Sequence, residues 1–393
     1  MKVLLLVCDS FGVGAATDAA AYGDEGADTL GNVARVTGGL DAANLGSLGL
    51  GLLTDVRGLD RSATRGTLHG RMRERSVGKD TTTGHWEIAG IVVDEPFPTY
   101  PEGFPPEVIG PFERAVGRTV LANRPASGTE IIAELGEEHM RAGRPIVYTS
   151  ADSVFQVAAH KDVVPLETLY EWCRAARRIL QGSHRVGRVI ARPFVGAPGS
   201  FTRTHERRDF SVAPPGPTYL NVVQDAGVTV YGVGKIPDIY AGEGLTASEH
   251  SESNDHGVDL TVKYLAQPAP ALVVTNLVDF DTKYGHRNDP EGYARCVEAF
   301  DRRLPELIEA VGDEGVLFLT GDHGCDPTIT PSTDHTREYV PVLGAGGVLR
   351  DREALDVGTR ETFADLGATI AGLFGAAPDG LAGSSFAEAL GPA

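Results

Sequence analysis

The chain has 393 residues, more than one ordinary core accommodates, so two domains are expected. Its 54 acidic and 35 basic side chains give a formal net charge of −19, which argues against nucleic acid as a partner. A phosphorylated substrate stays open, because bound divalent cations reverse the local field.

The first element is the apolar run Val3–Cys8, stopped by Asp9. It is too short for a secretory core segment and has no small-residue cleavage site, so it reads as a buried strand. Gly12 and Gly14 come next, but the third position of a dinucleotide fingerprint is Thr17, and the glycines read as a turn away from Asp9. Residues 78–87 run Gly-Lys-Asp-Thr-Thr-Thr-Gly-His-Trp-Glu. Thr caps helices well, so a turn and a helix start are expected there. The upstream glycine of a GxxxxGK[ST] phosphate loop is Arg73 here. Six prolines between Pro96 and Pro111, and then Pro214, Pro215 and Pro217, punctuate the chain. The segment 97–213, with strands at 145–149 and 188–191, is read as a domain inserted into a core made of 1–96 and 214–393.

Beyond the second proline cluster, strands at 228–233, 271–278, 316–320 and 339–343 alternate with helical stretches. That alternation predicts an α/β fold with a mainly parallel sheet between helices. Asp289-Pro290 starts a helix whose face carries Tyr293, Val297, Phe300, Leu304, Leu307, Ile308 and Val311. Pro305 is expected to kink or end it. A last helix over 360–374 turns Phe363, Leu366, Ile370 and Leu373 inward. No run approaches the ~18 apolar residues of a membrane span. Cys8, Cys173, Cys296 and Cys325 form no CxxC pair and read as reduced thiols of a cytoplasmic protein.

The chemistry collects where apolar runs end. Asp9 ends the first, Asp281 and His286 come after the run at 272–278, and Asp322 and His323 after the run at 316–320. Asp334 and His335 lie just downstream. Open α/β sheets bind ligands outside the carboxyl ends of their strands, so these residues are expected at one edge. Asp281 and His286 are five apart across a loop, while Gly321 and Gly324 supply turn freedom around Asp322-His323. Six carboxylate and imidazole ligands are too many for one tetrahedral zinc and enough for two ions at three each. Such a mixture suits Zn²⁺, Mn²⁺ or Fe²⁺, and a carboxylate-rich set leans to Mn²⁺ or Mg²⁺. One thiolate among hard ligands is unusual, which counts against Cys325. Paired ions serve phosphoryl transfer, and a Thr hydroxyl beside them becomes a nucleophile toward phosphorus. Thr81, Thr82 and Thr83 run together, so the residues alone leave the choice among them open.

The segments MKVLLLVCDSFGVGAA, GKDTTTGHWEIAG, YTSADSVFQVAAH, GVGKIPDIYAGEG, DFDTKYGHRND, GDHGCDPT and TDHTREYVPVL together resemble the phosphopentomutase family of the alkaline phosphatase superfamily. The resemblance implies an alkaline-phosphatase-like core with an inserted α/β cap. It implies interconversion of ribose 1-phosphate, or its 2-deoxy form, with the 5-phosphate, in nucleoside salvage and pentose catabolism. It further implies two manganese ions, a phosphothreonine enzyme and a sugar bisphosphate activator, with no obligate protein partner. Carried over by position, Asp9, Asp322 and His323 hold one ion, while Asp281, His286 and His335 hold the other. Thr81 is then the phosphorylated residue. Asp152, Arg192 and Arg207 of the inserted segment, with Lys235, are the candidates for sugar and phosphate contacts, since Arg grips phosphate bidentately and Asp accepts from sugar hydroxyls. A phosphoester hydrolase on the same centre is the nearest alternative.

Overall fold

A computed structural model describes residues 1–150, 153–376 and 380–391. The chain divides into two compact units, Met1–Glu95 with Pro214–Ala393, and Pro96–Ala213.

The first unit is built on a sheet of eight strands among the described residues. Their order is Ala247–Glu249, Thr229–Val233, Ala271–Leu277, Lys2–Cys8, Val316–Thr320, Val340–Ala345, Thr67–Met72 and Leu355–Arg360. All run in one direction except Val340–Ala345, which is antiparallel to both neighbours. The central strands are near-continuous apolar runs because helices cover both faces. Alternation splits Lys2–Cys8 between them. Leu4, Leu6 and Cys8 join the core under helices Thr29–Thr37, Asn254–Leu265 and Pro290–Ala310. Leu5 faces Ile88, Tyr219, Leu220 and Ile370 on the other side.

This topology creates the site edge. Cys8, Val233, Leu277 and Thr320 end parallel strands, so the chain leaves all four on the same side of the sheet. The reversed strand places its start there too, with Val340 opposite Met72. The approach to that strand, including His335, and the chain leaving Thr67–Met72 toward Thr81 therefore reach the same edge.

The helix Pro290–Ala310 runs unbroken through Pro305, against expectation. Proline removes the N–H that would bond the carbonyl four residues back. That carbonyl, on Asp301, instead accepts from Asn44 Nδ2 at 2.9 Å. The buried Asp301 carboxylate also receives the N–H groups of Asn44 and Leu45. The lost helical bond is thus replaced from a neighbouring segment.

The second unit carries a mixed sheet in the order Leu121–Pro125, Ile146–Thr149, Val154–His160, Arg188–Val195, Thr202–Arg203, with Arg208–Ser211 also paired to Arg188–Val195. Phe104, Phe112, Phe155, Trp172 and Val189 fill one face. Ile131, Ile132, Tyr148 and Phe194 fill the other.

Candidate metal centre and nucleophile

Strand Lys2–Cys8 delivers Asp9, and strand Val316–Thr320 delivers Asp322 and His323. Asp9 continues the ladder, its N–H donating to Leu277 O at 3.1 Å. Ser10 then turns sharply with φ of 71°. This left-handed turn lets its N–H donate to Asp322 Oδ1 at 3.1 Å, while the Tyr293 hydroxyl donates to its carbonyl at 3.0 Å. His323 Nε2 lies 3.3 Å from Asp9 Oδ1 and 3.5 Å from Asp322 Oδ2. All three side chains are sealed from solvent, with ligand atoms within 4.8 Å of one another. The glycines around Asp322-His323 act through size, since neither has positive φ. A Cβ on Gly321 would stand 2.7 Å from Phe11 O, and one on Gly324 would strike Glu338 Oε1.

Asp281 lies in a π-helical turn, Phe280–Tyr284, and His286 in the 3₁₀ turn Gly285–Arg287, so the expected loop is helically wound. Together with His335 they form a second cluster. His286 Nε2 is 3.2 Å from Asp281 Oδ2, and His335 Nε2 is 3.6 Å from Asp281 Oδ1 and 3.1 Å from His286 Nε2. His286 Nδ1 faces Thr333 O at 2.6 Å, which fixes the ring with Nε2 toward the cluster. His323 bridges both clusters, since it also lies within ligand reach of Asp281 and His335. Cys325 is within the same reach of Asp281 and His286, closer than the sequence suggested.

The electrostatics favour bound cations. Burial pushes the Asp9 carboxyl up, but Lys235 and His323 outweigh it and hold it below the usual carboxylate range. Asp281 is likewise raised by burial and brought below by His286 and His323. Burial opposes charge on His323, yet Asp322 and Asp9 drive it well above its ordinary value. His335 goes the other way: burial, then His323 and His286, push it well down. The neutral His335 imidazole beside ionised carboxylates is the state that binds metal, whereas His323 would release its proton to an ion. The buried oxygens Asp9 Oδ1, Asp281 Oδ1 and Asp322 Oδ2 have imidazoles nearby but no hydrogen-bond partner. Buried carboxylate oxygens left this way are costly without a cation. The donor set therefore fits two divalent ions.

Thr81 begins the helix Thr81–Ile88, capped by Asp80. Asp80 Oδ1 accepts from Thr82 N at 3.0 Å and Thr83 N at 3.2 Å, and Oδ2 accepts the Thr83 hydroxyl at 2.6 Å. Thr83 is thus engaged and buried. The Thr81 hydroxyl lies 3.2 Å from His323 Nε2, at the sealed cluster. Gly84 permits this approach: a Cβ there would strike Asp322 O. His85, fully buried, sets its Nδ1 2.9 Å from Thr81 O and 3.1 Å from Asp322 Oδ2.

Lys235 reaches the sealed cluster, with Nζ 3.5 Å from Asp9 Oδ2. In the second unit, Arg192 donates to Gln156 Oε1 at 3.0 Å, and Arg207 forms a two-pronged pair with Asp209 at 2.7 and 2.8 Å. Burial lowers the Arg192 pKa, and the nearby Arg207 charge adds to that. Adjacent Arg208 instead lies over the rings of Tyr170 and Phe210. Asp152 lies outside the described residues. Sequence reasoning passed over Asp80, His85 and Glu338 as contributors. Their signal was charge beside the chosen residues, within segments already picked out.

The first 378 residues match the metalloenzyme superfamily. The phosphopentomutase of Anaeromyxobacter dehalogenans is 58% identical over 379 residues, 95% of each chain. The chain belongs to the phosphopentomutase family. A second family member, from Caldanaerobacter subterraneus subsp. tengcongensis, is 54% identical over 377 residues, 96% of this chain and 95% of that one. The PH0037 protein from Pyrococcus horikoshii shares the fold, with a TM-score of 0.51 at 16% identity over 97% of this chain and 99% of that one. A phosphopentomutase is an enzyme, and the clusters at Asp9 and Asp281 are its candidate metal sites. No helix among the described residues is long and apolar enough to cross a membrane.

Proposed function

We propose that this phosphopentomutase interconverts ribose 1-phosphate, or 2-deoxyribose 1-phosphate, with the corresponding 5-phosphate through phosphorylated Thr81. The observation that carries the reading is the Thr81 hydroxyl at 3.2 Å from His323 Nε2, while Asp80 occupies the neighbouring Thr83 hydroxyl. Asp9, Asp322 and His323 would hold one divalent ion and Asp281, His286 and His335 the other, with manganese favoured by the carboxylate share. When bound, these ions offset phosphoryl charge and lower hydroxyl pKa values.

The remaining chemistry belongs to the chain. Phospho-Thr81 gives its phosphoryl group to the free hydroxyl of a pentose monophosphate. The P–O bond to Thr81 breaks, a P–O bond to the sugar forms, and the sugar hydroxyl proton passes to the Thr81 oxygen. The bisphosphate so formed reorients and returns its other phosphoryl group to Thr81 by the reverse exchange. A sugar bisphosphate activator would charge Thr81 at the start. Asp80 fixes the helix start so that Thr81 Oγ, and not its neighbours, meets phosphorus. Lys235 adds positive charge beside Asp9, where substrate phosphate charge would collect. Phosphate recognition is assigned to Arg192 and Arg207, and sugar hydroxyl recognition to Asp152, making Pro96–Ala213 the substrate-binding unit.

The test is incubation of Mn²⁺-loaded protein with a pentose 1,5-bisphosphate, followed by mass spectrometry of residues 79–87. Phosphate on Thr81, lost in Thr81→Ala together with mutase turnover, is expected. Unmodified peptide from active protein, or turnover retained by Thr81→Ala, overturns the reading.

A further inference from the structure

Two residues beyond His335, Arg337 is buried, with every guanidinium nitrogen engaged. Its Nη1 donates to Glu74 Oε2 at 2.7 Å, Ser76 O at 2.8 Å and Gly78 O at 2.9 Å. Its Nη2 donates to Glu74 O at 2.8 Å and Asp18 Oδ2 at 2.9 Å, and Nε also points at the Asp18 carboxylate. The Tyr22 ring lies beneath the guanidinium, 4.8 Å away, and its hydroxyl donates to Val77 O at 3.1 Å. The carbonyls of residues 74, 76, 77 and 78 are therefore all tied down by Arg337 or the ring under it. Gly78 is three residues before Thr81.

The same grip has two further parts. Asp24 Oδ2 accepts the Arg337 N–H at 2.8 Å and lies 3.1 Å from Lys79 Nζ. Lys79 Nζ also reaches Asp334 Oδ2 at 3.4 Å. From the opposite side, the buried Glu87 carboxylate accepts the N–H groups of Arg75 and Ser76. A guanidinium taken out of water is weak evidence for stability, because its desolvation offsets much of the attraction. Here most of its bonds converge on one run of backbone that ends three residues before the nucleophile, and Arg337 itself lies two residues after a metal ligand.

We propose that Arg337 is a positioning residue, which fixes the run 74–78, and through it Asp80 and Thr81, against the chain segment that carries His335. The proposal rests on the reading of Thr81 as nucleophile. Arg337 touches neither substrate nor reacting atoms. Its effect is to keep the Thr81 oxygen at the reactive distance in both phosphoryl exchanges. Lysine cannot replace it, since one ammonium with three donors cannot span two carboxylates and three carbonyls on separate segments.

The deciding experiment compares wild type with Arg337→Lys, both Mn²⁺-loaded. It reads kcat and KM for the pentose phosphate, the rate at which a 1,5-bisphosphate phosphorylates residues 79–87, and the melting temperature. Displacement of a reacting group by about 1 Å costs on the order of a hundredfold, so kcat and the phosphorylation rate should fall together by about that factor. KM should stay within roughly threefold, because no binding contact is lost. A folded variant with wild-type kcat, or with only a lower melting temperature, overturns the proposal, as does a rise in KM at constant kcat. If Arg337→Lys does not fold, Asp24→Asn decides. It spares the guanidinium but removes the carboxylate joining Lys79 to Arg337 N–H. A fall of about tenfold in kcat at constant KM supports positioning, and wild-type kcat overturns it. Failure of the Thr81 reading would show separately, as active wild-type protein with no phosphate on residues 79–87.

Discussion

The two candidate metal clusters use similar donors but are built differently. Asp9, Asp322 and His323 come one to three residues after their strands, and solvent does not reach them. Asp281, His286 and His335 stand on longer excursions, and the side chains of His286 and His335 remain 32% and 13% exposed. In the first cluster the sheet register sets the geometry. In the second, two helical turns and a returning loop set it, with Thr333 O holding His286. The first cluster should therefore be rigid and intolerant, and the second exchangeable and repairable.

The largest effect should come from breaking the sealed cluster. Asp322→Asn keeps the acceptor for Ser10 N–H but removes the charge that most raises His323. Mutase kcat/KM should drop about a thousandfold, equivalent to about 4 kcal/mol, and excess Mn²⁺ should not restore it. Recovery at high Mn²⁺ would show that the two clusters do not differ as described. His286→Asn is the matched change in the other cluster. A loss of roughly 10–100-fold in metal affinity is expected, with much of the activity returning as Mn²⁺ is raised. Chelator titration of wild type should be biphasic by metal analysis, one equivalent leaving well before the second. A single step would merge the two clusters into one cooperative unit.

A smaller change probes the sealed cluster through packing. In Gly84→Ala the added methyl would meet the Asp322 carbonyl, which is backbone and cannot rotate away. Overpacking of this kind costs about 1–3 kcal/mol. The matched change, Gly285→Ala, meets the Cys325 sulfur at 2.9 Å, a side chain with more freedom. Gly84→Ala should lower the melting temperature and kcat together, and Gly285→Ala should affect both less. The reverse order would contradict the assignment of rigidity to the first cluster.

Legibility in the sequence divides along the same line. Strand ends stopped by Asp9 and Asp322 were visible because a parallel strand buried on both faces is a continuous apolar run. The strands Thr67–Met72 and Leu355–Arg360 were not, since Gly70, Arg71 and Gly358 interrupt any alternation and they lie toward a sheet edge. The winding of Asp281 into a π-helical turn left no periodic signal in five residues. The tolerance of Pro305 could not be read locally either, because its relief is Asn44, more than 250 residues away. The Thr run gave three equivalent hydroxyls in sequence. In the fold they differ: Asp80 engages the Thr83 hydroxyl, while the Thr81 hydroxyl lies 3.2 Å from His323 Nε2.

A dependence on pH is expected at the root of the loop that joins the clusters. Glu338 is buried and accepts from the Thr29 hydroxyl at 2.6 Å, Thr29 N at 2.9 Å and the Thr336 hydroxyl at 2.6 Å. Gly324 and Thr336 pair across that root, so Glu338 braces the excursion from His323 to His335. Burial raises its carboxyl to about 7, against the lowering effect of these hydrogen bonds. A folded pKa above the ordinary 4.5 means the folded state binds the proton more tightly. The stabilising contribution is full below about pH 4.5 and is lost as pH rises through about 7. The loss is on the order of 3 kcal/mol over that window. The melting temperature of wild type should therefore decline more steeply from pH 5 to 8 than that of Glu338→Gln, which has no proton to release. Equal slopes would place the pH dependence elsewhere. A steeper slope tracked by selective loss of the second metal equivalent would tie the brace to the exchangeable cluster.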